Sequence, residues 1–232
     1  MFLDAAALGL AWWSAVLSQK GDDEKLSYGY HRMQVLAAFV NGLSLFALAI
    51  WITWESLTRL AFPESILPLP TLAIGMAGLI INLIVYRWLH NSSGNLNLKS
   101  AALHVLGDLL GSFAAIAASL AVLFLGWLYV DPVLTLLIAF ILFRGASRVL
   151  KDSVMILLDG VPPGFDTHEI KQTLKDRCLS VIDVHHVHAW SITPDRPMVT
   201  LHAQITDSEQ STATIASIKT ILKEKFEIDH ST

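Results

Sequence analysis

Residues 100–112, SAALHVLGDLLGS, place His104 and Asp108 four apart in a run that is otherwise Ala, Leu, Val, Gly and Ser. In a helix that spacing sets both side chains on one face, one turn apart. A charged group at the centre of a bilayer costs roughly 2.5–3.5 kcal/mol on insertion scales, so an ionisable pair there is read first as functional. Asp4, early in another apolar stretch, sits at a comparable depth. Two carboxylates and one imidazole supply the oxygen and nitrogen donors that a tetrahedral divalent ion such as Zn2+ accepts. The alternative for His104 and Asp108 is an internal hydrogen bond that ties helices together. Ala101, Ala102, Gly107, Gly111 and Ser112, small residues around the pair, let a neighbouring helix come close. Asn82 is a further polar residue in an apolar stretch, and Glu55, four before Arg59, reads as half of a helix-surface ion pair.

A second concentration of donors lies towards the C-terminus: His168, His185, His186, His188, His202 and His230. In an extended strand His186 and His188 share one face while His185 takes the other, and His202 on the next strand could face His188. The pattern suits a second metal site or, alternatively, histidines on the surface of a small sheet. His31 and His90 read as loop residues.

The first group calls for membrane helices to position it. The chain has 232 residues, 53% of them hydrophobic and only 16% charged, against about 25% charged in soluble domains. From Asp152 onward there are 12 acidic and 7 basic residues; before it there are 8 and 9, spread over twice the length. This divides the chain into a membrane region, 1–151, and a mildly acidic soluble domain, 152–232. A span needs about 20 apolar residues in helical form, and residues 33–59, 66–89, 100–125 and 128–150 supply them. A fifth stretch, 1–18, is apolar without a basic n-region or cleavage site, and reads as a membrane helix rather than a signal peptide. Asp131-Pro132 opens the last span, with Pro at a first-turn position. Lys20, Lys25, Arg32, Arg87, Lys99, Arg144, Arg148 and Lys151 gather at alternate helix ends, which places those ends, and the soluble domain, in the cytoplasm. The single cysteine, Cys178, agrees with a reducing compartment. A net charge of −4 gives no sign of nucleic-acid binding.

After ILLDGVPP the pattern changes. Residues 166–178 and 208–226 read as amphipathic helices, while VIDVHHVHAWSI (181–192) and MVTLHAQIT (198–206) read as strands joined by TPDRP. EIDHST begins a third strand. Helix, strand, strand, helix, strand is an α+β unit with its helices on one face of a small sheet.

The ordered set LDAAALGLAW, YGYHRMQVLAAFVNG, WESLTRL, LKSAALHVLGDLLGS, YVDPVLTLLIA, ILLDGVP and VHHVHAWSI resembles the cation diffusion facilitator family of divalent-metal exporters, over essentially the whole chain. The resemblance implies an α-helical membrane protein with five of six expected transmembrane helices present here. A C-terminal α+β, ferredoxin-like (metallochaperone-like) cytosolic domain follows, and the assembly is a homodimer. It implies a tetrahedral site from paired motifs on the second and fifth family helices, matched by Asp4, His104 and Asp108. The partner of Asp4, and a first helix, are expected before Met1, and the last strand is expected to extend past Thr232, so the chain reads as truncated at both ends. His188, His202 and His230 match positions that carry metal in some relatives, implying a regulatory Zn2+ site. Gln34 stands where many relatives have glutamate.

The expected function is efflux of Zn2+, with Cd2+ or Fe2+ as other cargoes, by proton-coupled alternating access in the lipid bilayer of a prokaryotic inner membrane. Metal and protons compete for imidazole and carboxylate, and histidine exchanges protons near neutral pH. Two other readings stand beside it. One is a membrane-tethered cytosolic metal sensor without transport. The other is a membrane acyltransferase or hydrolase with His104 as base, although neither a nucleophile nor an oxyanion loop accompanies that histidine.

Overall fold

The computed structural model describes residues 2–63, 67–90, 96–206 and 211–232, apart from the side chains of 2–4, 89 and 90. Five helices come first: α1 (Phe2–Leu17), α2 (Arg32–Ala61), α3 (Pro68–His90), α4 (Leu96–Leu125) and α5 (Val130–Leu157). Among the described residues four of them, α2 to α5, are long and apolar enough to cross a bilayer. The expected fifth span is helical, but α1 has 16 residues, short of the ~20 that a crossing needs.

Helices α2, α4 and α5 pack on one another, α3 lies against α4, and α1 sits on α2 and α4. Close approach of α4 and α5 is reciprocal. Leu142 of α5 rests where a Cβ on Gly107 would be, and Leu103 of α4 rests on Gly145 of α5. Each leucine fills the space left by the other helix's missing side chain. Much of the outer surface is apolar, including Trp51, Trp54, Ile74, Ile80, Ile84, Trp88 and Phe124. In water such a surface would drive association; in lipid it is the solvated surface.

Two buried asparagines hold α1. Asn41 of α2 donates to the Ala7 carbonyl at 3.2 Å, and Asn97 of α4 donates to the Ala11 carbonyl at 2.8 Å and to Ser14 Oγ at 3.0 Å. These contacts also explain why α4 starts at Leu96 rather than at residue 100. Leu96 and Asn97 are buried among the helices, so their burial overrides the loop-like composition just before them. Likewise α5 continues to Leu157 instead of stopping at 150. Its final turns leave the apolar zone and carry Arg148, Lys151 and Asp152 along one unbroken helix.

The soluble part comprises α6 (Thr167–Arg177), β1 (Val181–Ser191), β2 (Pro197–Ile205), α7 (Ser211–Phe226) and β3 (His230–Ser231). This is the expected helix, strand, strand, helix, strand order. The sheet order is β1-β2-β3, with β1 antiparallel to β2 and β3 parallel to it. Helices α6 and α7 cover one face through Ile170, Leu174, Ile218, Ile221 and Leu222, packed on Val184, Val199 and Ile228. Asp166 caps α6 by accepting a 2.8 Å hydrogen bond from the His168 amide.

Two contacts join the soluble part to the start of α2. Arg32 donates to the Asp159 carboxylate, and Arg196, in the β1–β2 turn, donates to His31 Nε2 at 2.8 Å.

Candidate metal centre

Helix α4 is continuous through His104 and Asp108 because its interior holds Ala, Leu, Val and small residues, with no proline after Leu96. The two side chains therefore emerge from one face, with His104 Nε2 4.0 Å from Asp108 Oδ2. His104 is 7% exposed. Asp108 is half-buried and looks into a cavity of about 230 Å3 between α2, α4 and α5. Leu45, Gly107, Gly111, Ile138 and Leu142 form much of its wall. The pair is thus a polar spot in a largely apolar chamber.

The Asp4 side chain lies outside the described residues, but the backbone places it. Helix α1 runs antiparallel to α2, since Ser18 meets Gln34 near one end and Ala7 meets Asn41 further along. Ala11 is beside Asn97 of α4. Seven residues back from Ala11 is Asp4, and seven on from Asn97 is His104; each is about 10 Å along its helix, in the same direction. The backbones of Asp4 and His104 thus stand at one level of the bundle. Among the described residues no three His, Cys, Asp or Glu side chains form a group that could hold an ion.

Besides Asp4, both Asp131 and Glu55 are acidic residues of the bundle. Asp131, expected only to open the last span, lines the same cavity together with Thr135. Glu55 makes the expected i,i+4 pair with Arg59 at 3.1 Å, and Arg59 also reaches Asp131 at 3.4 Å. The signal for Asp131 was in the sequence, as an acid in the first turn of an apolar helix; its partner, 72 residues away, was not.

The cytosolic histidines are arranged differently from strict alternation. A register shift falls between His185 and His188, and His186 adopts a left-handed backbone, φ 50°. The irregularity puts one extra residue on β1 and turns His186 towards β2. His202 consequently stands opposite His185, and His188 stands opposite Thr200. The His185, His186 and His202 rings lie 5.3–5.6 Å apart, and the His188 ring is 6.4 Å from His186. His230 pairs in register with Met198. That is four residues along β2 from His202, about 13 Å at strand rise. Asp183 accompanies His185 at 3.3 Å, and hydrogen bonding from Lys175 holds the Asp183 carboxyl below the usual range.

Comparison with known proteins decides what this arrangement belongs to. Residues 1–158 match the cation efflux transmembrane domain, and residues 162–232 match the cation efflux protein cytoplasmic domain. The chain belongs to the cation efflux, or cation diffusion facilitator, family. It is 38% identical to the zinc transporter ZitB of Escherichia coli over 234 aligned residues, covering all of this chain and 74% of the relative. It is 36% identical to the ZitB of Pectobacterium atrosepticum, covering all of this chain and 73% of that relative. A cadmium, cobalt and zinc/H(+)-K(+) antiporter of Bacillus subtilis is 32% identical, with 99% and 74% covered. This chain is therefore a multi-pass membrane protein of a cation-exporting family, with a cytoplasmic domain at its C-terminal end. A family of transporters gives no support to an acyltransferase or hydrolase built on His104.

Proposed function

We propose that this protein exports Zn2+ from the cytoplasm in exchange for protons, with Asp4, His104 and Asp108 as ligands to the transported ion. The observation that carries the reading is the buried His104–Asp108 pair, one turn apart on a membrane helix and open to an internal cavity. A neutral imidazole and ionised carboxylates bind metal, whereas their protonated forms do not, so each ion released can be replaced by protons taken up. One nitrogen and two oxygen donors suit Zn2+, and Cd2+ is a softer competitor. The membrane is the inner membrane of a bacterium and the working unit is a homodimer.

Zinc uptake into inverted vesicles tests the assignment. Asp108→Ala and His104→Ala are expected to reduce uptake to background while the protein remains folded and inserted. Undiminished uptake by Asp108→Ala would overturn the site.

A second reading concerns regulation. The open face of the sheet is proposed to take a cytosolic Zn2+ at His202 once the His185 and His186 rings, now 5.6 and 5.3 Å from it, close in. His230, about 13 Å along β2 from His202, is too far to share that ion, and His188 lies on the far side of the His186 ring. Zinc titration of the intact protein, wild type against His202→Ala, tests it: loss of one saturable site is expected, and an unchanged stoichiometry refutes it.

A further inference from the structure

The cavity beside His104 and Asp108 does not end at that pair. It continues between α2, α4 and α5 to Asp131 and Thr135 in the first turns of α5. Leu142, level with Gly107, is eleven residues beyond Asp131, so the cavity extends roughly 16 Å from the pair along the helix axis. This direction leads away from the cytoplasmic domain, towards the opposite face of the membrane. A continuous chamber from a cation-binding pair to a carboxylate near the far side is the outline of a release route.

A cation of the protein's own stands beside Asp131 at the end of that route. Arg59, in the last turn of α2, donates through Nε and Nη2 to Glu55, at 3.2 and 3.1 Å, and through Nη1 to Asp131 at 3.4 Å. It thereby links α2 to α5 across the mouth. At the other end of the same two helices, Arg32 bridges the start of α2 to Asp159, just past the end of α5. Helices α2 and α5 are thus pinned by arginine–carboxylate contacts at both extremities.

The geometry points to Arg59 and Asp131 as a charge lock on the release side, with Glu55 as the holder that receives Arg59 when the lock opens. It rests on the export reading above. While the guanidinium bridges both carboxylates, one positive charge is shared between two negative ones, and the Asp131 carboxylate is engaged by Arg59 rather than open to a divalent ion. When Arg59 is held by Glu55 alone, the Asp131 carboxylate, charged throughout, is open to the departing ion. Because Glu55 and Arg59 share a helix turn, α2 can move from α5 without leaving Arg59 without a partner. Asp131 and Arg59 are positioning residues here and need not touch the ion at rest.

The test reads accessibility, which a merely structural pair would not control. Thr135→Cys places a thiol in the cavity, and the native Cys178 is buried in the cytoplasmic domain. In right-side-out vesicles, a membrane-impermeant maleimide is expected to label Thr135→Cys slowly in the otherwise unaltered protein. Arg59→Gln should raise the rate about five-fold, the factor by which loss of a ~1 kcal/mol ion pair shifts a two-state equilibrium. Arg59→Lys, which keeps the charge, should stay near the starting rate, and the exchange Arg59→Glu with Asp131→Arg should return towards it. Equal labelling in the parent, Arg59→Gln and exchanged proteins would overturn the lock. Zinc flux in the same vesicles separates the two ideas. A parent protein without flux but with the labelling contrast refutes the export reading and supports the lock, whereas flux with no contrast refutes the lock alone.

Discussion

The tight seam between α4 and α5 makes a quantitative prediction about two glycines one turn apart. A Cβ added at Gly107 would lie 2.9 Å from Leu142 Cδ2 and 3.2 Å from Cδ1, whereas a Cβ at Gly111 meets nothing within 4 Å. Leu142 cannot swing away freely, because it is 3% exposed and held among Ala49, Ala114 and Ile138. Forcing a methyl into such a place costs about 1–3 kcal/mol. Both Gly→Ala changes gain helix propensity of about 1 kcal/mol. The balance for Gly107→Ala is therefore a loss of ~0–2 kcal/mol, while Gly111→Ala gains ~1 kcal/mol, a gap of ~1–3 kcal/mol between residues of one type on one helix. Thermal unfolding of the two variants in the same detergent measures it. A second arm tests the cause: Leu142→Ala removes the obstruction, so it should cost less in the Gly107→Ala background than alone, with a coupling of at least ~1 kcal/mol. Zinc flux should follow the same order, since Gly107 sits between His104 and Asp108. Equal stabilities of the two alanine variants, or strict additivity with Leu142→Ala, would refute the account of the seam.

Three other outcomes are expected. Asn97→Ala removes the two hydrogen bonds that tie α4 to Ala11 and Ser14 of α1 and should cost about 1–3 kcal/mol in unfolding; limited proteolysis should show α1 released first. The contact between His31 and Arg196 should be pH-sensitive, because burial, and then the Arg196 guanidinium, hold the His31 imidazole below its ordinary 6.5, with Asp195 opposing. Its folded value being lowered, the unfolded chain takes up the proton first. The contribution to stability is thus complete above pH 6.5 and declines as pH falls through the folded value; His31→Gln should flatten that part of the stability–pH curve. Finally, Arg32→Ala should loosen the cytoplasmic domain from α2, seen as faster hydrogen exchange in 28–32 and 159–163, without removing the His104–Asp108 site.

Much of the architecture is legible in the sequence because membrane helices obey a crude rule. Long apolar runs have one economical structure in lipid, and α2 to α5 follow it. The pair His104 and Asp108 is equally legible, since helix geometry alone relates residues four apart. What is not legible depends on contacts between distant parts. The start of α4 moved because Asn97 finds α1, and α5 lengthened because Ile156 and Leu157 of its last turn pack against Val35, Ala38 and Leu96. Arg59 meeting Asp131 is a consequence of how α2 lies on α5, which no local spacing encodes. In the sheet, alternation failed at one residue: the left-handed His186 put His202 opposite His185 and not His188. A single irregularity inverts every facing relation beyond it, so the part of the histidine cluster that depended on register was the part misplaced.

The unbroken run of α5 has a mechanical consequence. It is a rod of 28 residues, about 42 Å long, with its first turn at the far mouth, its middle wedged against Gly107 and its last turn reaching the cytoplasmic domain. Wedged at Leu142, it behaves as a lever about that fulcrum. A tilt of only ~5° would carry its cytoplasmic end ~2 Å over the ~22 Å beyond the fulcrum, and swing Asp131 the opposite way by ~1.4 Å. Displacements of that size exceed the slack of an ion pair, so a tilt of that kind would strain Arg59–Asp131 and Arg32–Asp159 together, and a movement imposed at the cytoplasmic end would be felt at the opposite face of the membrane.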